Sequence, residues 1–242
     1  MAESTVWDGL RVMVGIPAYN VEQRLEDTVR RVLRELVTCV VIVDDGSTDG
    51  TPSIVDRLSR EDRVTVIHQA NQGYGAVHKR LLDEFLRRDD DYFVMVHGDG
   101  QHAPEEMVNL VRALRGGADV VLGSRALGDM RGGGMPLYKF MGNRVLTRLE
   151  NAVFGTQITS FHCGYKACNR RSVVEVRYHD MTDGFHFDGQ FLVATCKLGL
   201  KLAQVPVTTI YHPDGVSHLR ALPYLLEVIE FMISGGRRAT RV

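Results

Sequence analysis

Cysteine is scarce in this chain: there are four in 242 residues, with no Cys-x-x-Cys pair and no zinc-like spacing to histidine. That scarcity argues against a disulfide-stapled scaffold and fits a reduced, cytoplasmic setting. Charge of one sign is lacking too. A formal net charge of -1 leaves no basic excess for nucleic acid. The local pairs Arg30/Arg31, Arg87/Arg88 and Arg237/Arg238 read as solvated faces. No apolar run reaches the ~20 residues needed to span a bilayer. The nearest, ALPYLLEVIEFMIS (221–234), carries two glutamates and reads as an amphipathic helix before a basic tail. The N-terminus, MAESTVWDGLR, has neither the basic nor the apolar region of a signal peptide. Two nucleotide signatures are also missing. No GxxxxGK[ST] follows a strand, and the first strand runs into PAYN rather than GxGxxG, which argues against a P-loop NTPase and a dinucleotide Rossmann domain.

What is present is an ordinary globular balance, 44% hydrophobic and 24% charged, at a length suited to a sizeable core. The first half alternates strand and helix patterns. Strands are expected at 11–16 (closed by Pro17), 39–45, 63–68, 91–97 and 118–124, with helices between them. The continuous β-branched run CVVIVDD suits a strand covered on both faces. Such a series implies an α/β fold with a mainly parallel central sheet flanked by helices on both faces. Ligands of such sheets bind beyond the strand C-termini, and there the polar clusters fall: IPAYN, DDGSTDG, HQANQGYG, HGDGQH and GSR. The second half differs in texture. A glycine loop (131–136) precedes a helix pattern with Leu137, Met141, Val145, Leu149 and Val153. A short strand (164–170), a turn and helix (184–199) and a β-run (202–212) follow. No repeat or linker divides the chain, so one domain is expected over 1–242. Its nucleotide half covers about 10–125, its acceptor half about 126–220, and the helix and tail take 221–242.

Two adjacent carboxylates at a strand end, Asp44 and Asp45, are costly unless solvated or engaged, which favours contact with a base or a ribose. Asp49 reads as a helix-capping turn residue. NQGYGAVHK offers backbone amides around Asn71 and Gly73 at a helix N-terminus, where an anion is favoured, although a tight turn explains them as well. Lys79 follows one to two turns later. In HGDGQH, Asp99 and Gln101 alternate in an expected extended segment and so face one side. With diphosphate oxygens they could hold Mg²⁺ or Mn²⁺. His97 shares that side and would suit Mn²⁺ better; a histidine satisfied by a hydrogen bond is the alternative. His102 reads as a loop residue. Arg125 ends the fifth strand, where a guanidinium meets phosphate easily or makes a surface salt bridge.

In this order the clusters VGIPAYN, VIVDDGSTDGT, NQGYGA, HGDGQHAPE, VLGSRALG, GGGMPLYKFMGNRVLTRLEN, HCGYKACNR, GFHFD and KLAQVPVTTIY resemble the inverting glycosyltransferases of family 2. The nearest likeness is to the dolichyl-phosphate mannose synthase-like branch, in short members bearing HxDGQ. The resemblance implies a GT-A (nucleotide-diphospho-sugar transferase) fold. It implies a UDP- or GDP-sugar whose nucleoside lies at Pro17, Ala18, Tyr19, Asn20, Asp44 and Asp45. Asp99, next to Gly98 and Gln101, would carry the metal role of the family's DxD motif, with His97 where its first acid stands. Arg125 would face the diphosphate, the loop bearing Arg131 and Lys139 would move over the cleft, and Asn143 and Arg144 would line it. A carboxylate in TDGFHFDGQ would deprotonate an alcohol acceptor: Asp188 first, Asp183 second, because Gln190 replaces the usual glutamate and an amide is no base. Ser217, His218 and Arg220 would approach the diphosphate.

The expected function is therefore metal-assisted transfer from a nucleotide-diphosphate sugar to a small-molecule or carrier-protein-bound acceptor, as in secondary metabolism. The lack of an anchor and Gln190 favour that acceptor over a lipid phosphate reached peripherally at a membrane. A sugar-nucleotide nucleotidyltransferase would need a glycine- and arginine-rich loop after the first strand, which PAYN does not supply. A non-catalytic sugar-nucleotide binding protein, motivated by His97 and Gln190, is a further reading, and a homodimer is among the assemblies left open.

Overall fold

In the computed structural model, residues 9–34, 37–128, 137–210 and 221–236 are described. Seven β-runs pair into one sheet: β1 (Val12–Ala18), β2 (Cys39–Asp44), β3 (Val64–His68), β4 (Tyr92–Met95), β5 (Val120–Ser124), β6 (Lys166–Asn169) and β7 (Leu202–Pro206). Their order is β3-β2-β1-β4-β6-β5-β7, and β6 alone runs antiparallel to its neighbours. The two halves of the sequence share this sheet, because β6 inserts between β4 and β5. The described residues also form the helices α1 (Leu25–Arg34), α2 (Thr51–Leu58), α3 (Tyr74–Arg87), α4 (Met107–Arg115), α5 (Leu137–Phe154), α6 (Arg170–Glu175), α7 (Phe187–Lys197) and α8 (Ala221–Ile233); α1–α4, α6 and α7 pack against the sheet, and α5 packs with α8. The expected α/β sheet is thus observed. Its core is the buried β-branched content of β1, β2 and β5 together with Leu81, Phe85, Phe93, Leu110 and Phe191.

Connectivity leaves β1 on one side for β2 and β3 and returns on the other to β4. The crevice at such a switch point is where ligands of open α/β sheets sit. It is flanked by PAYN at the end of β1 and HGDGQH at the end of β4.

Two local expectations are corrected, and the face that one helix buries is settled. Pro17 does not close β1 but lies within it, paired in register with Val43. β4 pairs β1 only as far as Gly15, and Pro17 shares the side on which Gly15 accepts from Val96 N. Its missing N–H therefore falls where no partner strand remains. The run 202–212 does not stay in the sheet beyond Pro206. The chain turns over the HGDGQH segment, with an isolated bridge from Thr209 to His102 and an Ile210 N–H donating to Gln101 O at 2.9 Å; residues 211–212 lie outside the described ones. Finally, the apolar stripe of α5 does not face inward. Met141, Val145, Leu149 and Val153 are each 50–52% exposed, while the helix buries Thr147 and Glu150.

Candidate active site

The β2–α2 turn is built by its own aspartates. Asp44 and Asp45 are 3% and 4% exposed, and a buried carboxylate must find donors. Asp44 Oδ1 accepts from Ser47 N at 3.2 Å, and its Oδ2 lies 3.0 Å from His68 Nδ1. The hydrogen bond to Asp44 raises the His68 pKa against a smaller effect of burial. Asp45 accepts from Gln69 Nε2 at 2.7 Å, Gln72 N at 2.9 Å and Gly73 N at 3.0 Å. It thereby ties down the loop entering α3. Gly50, not Asp49, is the N-cap of α2; Asp49 precedes it and accepts from Thr51 N at 2.9 Å, closing the turn onto the first helical amide. Asn20, in a left-handed conformation at φ 51, joins the same turn: its N–H donates to Ser47 Oγ at 3.0 Å and its Oδ1 accepts from Thr48 N at 2.8 Å. Ala18 pairs in register with Asp44, and Asp45 N donates to Ala18 O at 2.9 Å, so the PAYN segment lies beside Asp44 and Asp45.

The loop amides before α3 are already committed. Gln72 and Gly73 give theirs to Asp45, and Gly75 N donates to Asp183 O at 2.7 Å. The anion at this helix N-terminus is the protein's own carboxylate, which corrects the reading of Gly73 as a phosphate donor; Asn71 is exposed on the loop. Lys79 is likewise spoken for. Its Nζ donates to Met181 O at 2.6 Å, His179 O at 3.2 Å and Asp183 Oδ1 at 2.8 Å, so it clamps the loop 179–183 rather than reaching toward Asp99. A hollow of about 380 Å³ lies beside this clamp, between His68, Gln72, Lys79 and Asp183.

At the end of β4 the expected extended segment is a turn, with Gly100 at φ 68. Strand alternation ends there and cannot place His97, Asp99 and Gln101 on one side. Asp99 folds back instead, its Oδ1 accepting from Gln101 N at 3.0 Å. Asp99 Oδ2 and the Gln101 side-chain amide have no hydrogen-bond partner among the described residues. Two uncommitted oxygen donors on one tight turn fit a hard divalent cation that shares diphosphate oxygens. Gly98 lets the turn approach β1: an added Cβ would lie 3.0 Å from Leu25 Cδ1 and 3.2 Å from Pro17 O. His97 joins other company. Its Nε2 sits 3.2 Å from Tyr74 Oη, and burial lowers its pKa. Arg125, after β5, donates from Nη2 to His162 O at 2.6 Å.

Asp188, at the start of α7, is the centre of a buried polar network that sequence reading did not find. Its Oδ1 pairs with Lys166 Nζ, and its Oδ2 accepts from Tyr74 Oη at 2.6 Å. His78 Nδ1 is 3.4 Å from Oδ1. Lys166 is 1% exposed, between the rings of Phe187 and Phe191. Burial alone would push the Asp188 carboxyl up, but the Lys166 ammonium and then His78 hold it down at about 2. A carboxylate so paired is a weak proton acceptor, which counts against its expected role as base. Asp183 is exposed but bonded to Lys79, and Gln190 Oε1 accepts from Thr182 N at 3.0 Å. His102 is a loop residue as expected, but a buried one, its Nδ1 3.3 Å from Thr208 O. Arg131, Ser217, His218 and Arg220 lie outside the described residues, as does the Lys139 side chain. One signal for the network was available: Lys166 stands in an apolar strand pattern where a cation must be paired.

Comparison with known proteins agrees with this geometry. The profile described as glycosyl transferase family 2 matches residues 13–177. Glycosyltransferase AglJ of Haloferax volcanii is 28% identical over 84% of this chain, which spans 64% of that protein's length. Polyprenol monophosphomannose synthase of Mycolicibacterium smegmatis is 32% identical over 89% of this chain and 83% of its own. Among solved structures, glucosyl-3-phosphoglycerate synthase from Mycobacterium tuberculosis in complex with UDP superposes with a TM-score of 0.69 at 20% identity, covering 97% of this chain and 83% of the other. That enzyme has also been solved with Mn²⁺ and UDP-glucose. With the family profile spanning most of the chain and the whole fold superposing on that solved glycosyltransferase, this protein belongs to glycosyltransferase family 2 and is a glycosyltransferase of the GT-A fold.

Proposed function

We propose that this enzyme transfers a sugar, with inversion, from a nucleotide-diphosphate sugar to a lipid phosphate of the polyprenyl type. The observation that carries this reading is the state of the carboxylates in the base segment. Asp188 is neutralised by Lys166 and Asp183 by Lys79, so an alcohol acceptor would find no unpaired carboxylate there. A phosphate monoester arrives already ionised and needs none. One of its oxygens attacks the anomeric carbon from the face opposite the leaving group. The C1–O bond breaks, and the nucleoside diphosphate departs with the electron pair. Asp99 and Gln101 would hold a divalent cation, Mg²⁺ or Mn²⁺, which when bound neutralises the diphosphate. Pro17–Asn20 with Asp44 would floor the nucleoside, and Tyr74 and Lys166 would fix α7 beneath the sugar.

Two further observations support this acceptor over the small-molecule or carrier-bound one. The outward stripe of α5 lies next to α8, whose Leu222 and Ile233 are 68% and 80% exposed, and the exposed Arg144 and Arg148 flank it. Among the described residues no helix is long and apolar enough to cross a membrane, so this face would meet a lipid surface peripherally. The relative from Mycolicibacterium smegmatis is named for a polyprenol phosphate product. The test is transfer from a panel of labelled UDP- and GDP-sugars to polyprenyl phosphate and to the matching polyprenol. The account expects a glycolipid from the phosphate alone. Transfer to a soluble alcohol with none to polyprenyl phosphate would contradict it.

A further inference from the structure

Glu150 on α5, His162 before β6 and His186 at the N-terminus of α7 converge on one spot, and Asp99 is not among them. Glu150 and His186 are both 0% exposed, and the side chain of His162 is 9% exposed. Glu150 Oε2 lies 3.2 Å from His162 Nε2, and Glu150 Oε1 lies 3.7 Å from His186 Nε2. One ligand atom from each of the three falls within 4.8 Å of the others. Yet among the described residues both Glu150 oxygens, His162 Nε2 and both His186 nitrogens lack a hydrogen-bond partner. Five orphaned polar atoms in one enclosed spot are costly, on the order of 1–3 kcal/mol each.

A proton shared between Glu150 and His162 would satisfy one oxygen and leave His186 bare. A cation satisfies all three side chains at once. With ligand bonds of about 2.0–2.1 Å, neighbouring ligand atoms stand roughly 3–3.5 Å apart, close to the 3.2 and 3.7 Å that separate Glu150 from the two imidazoles. The surroundings are built for it. Tyr224 Oη contacts His162 Nδ1, the outer partner that orients a metal-bound imidazole. Gly189, within α7, makes room for the ring, since a Cβ there would meet His186 Cε1 at 2.3 Å. Glu227 Oε2 accepts from His186 N at 3.2 Å, and the rings of Tyr224 and Phe231 pack against His186.

We propose that Glu150, His162 and His186 form a second cation site for a first-row transition metal such as Zn²⁺, clasping α5, α7 and, through Tyr224, α8. Two imidazoles and one carboxylate select that class over Mg²⁺ or Ca²⁺, and the burial of the ligands marks a structural ion rather than one that meets substrate. The inference does not depend on the acceptor reading above.

The full chain and its Asp99→Asn variant are purified with Zn²⁺ present, passed through gel filtration and analysed for metal content, with Co²⁺ titration followed by absorption. Both should retain about one zinc per chain, and chelation should lower the melting temperature until Zn²⁺, but not Mg²⁺, restores it. Glu150→Gln and His186→Gln should lose the ion. Tyr224→Phe, which keeps every ligand and the ring volume, should fold and bind zinc about 10–100-fold more weakly; it decides the question if the ligand variants do not fold. A folded wild-type chain that retains no transition metal would overturn the proposal. So would an ion that survives Glu150→Gln, or one that Asp99→Asn removes.

Discussion

Asp188 and Asp99 are both carboxylates at element ends, but their partners set opposite roles. Asp188 is matched by Lys166 and Tyr74 inside the core. Asp188→Asn should destabilise the fold by about 3–5 kcal/mol, because it strands a buried ammonium, as read by denaturant unfolding. An unchanged stability with kcat down 10²–10⁴-fold, the mark of a lost base, would contradict this. Because the folded pKa is depressed to about 2, the pair's contribution is complete above the ordinary carboxyl pKa and is lost as pH falls through about 2. His68 has the opposite sign. Its pKa is raised by Asp44, so its contribution is full below the ordinary imidazole value and fades as pH climbs through the raised one. NMR titration should show this, and Asp44→Asn should return His68 toward its ordinary pKa. Sequence put Asp44 and Asp45 after the second strand and Asp99 and Gln101 after the fourth, and those strands lie on either side of β1. It could not say that Asp45 and Lys79 spend their hydrogen bonds on the protein itself. That depends on loops meeting across more than 25 residues, as when Asp45 takes the amides of Gln72 and Gly73.

At the scale of elements, glycines decide how closely the pieces approach. Gly75 lies in the first turn of α3, and an added Cβ would sit 2.3 Å from Thr182 O. Gly75→Ala should cost about 1–3 kcal/mol and loosen the loop 182–183, visible as faster amide exchange there. Gly142, inside α5, meets nothing within 4 Å. Gly142→Ala should therefore stabilise the chain by about 0.5–1 kcal/mol, read as a higher melting temperature. The parallel strands and their helices were legible because a buried β-branched run and a 3.6-residue stripe each carry their own period. The direction in which α5 turns its stripe was not. Periodicity fixes that one face is apolar, and only tertiary contacts fix which face is buried, here the one carrying Glu150.

For the whole molecule, one sheet places PAYN and HGDGQH on either side of the β1–β4 switch point, while α5 and α8 carry most of the exposed large apolar residues among the described ones. Replacing Leu226 and Ile233, 58% and 80% exposed, with glutamate should weaken cosedimentation with lipid vesicles and leave turnover of a detergent-dispersed acceptor intact. The central claim concerns the switch point itself, and the most direct measurement is calorimetric titration of UDP and GDP into the wild type and Asp99→Asn, with and without Mn²⁺. The account predicts that one nucleotide binds the wild type at least about tenfold more tightly with Mn²⁺, a gain near 1.4 kcal/mol, and that Asp99→Asn loses this gain while keeping metal-free binding. Equal Mn²⁺ enhancement in both proteins, or no binding of either nucleotide to the wild type, would contradict it.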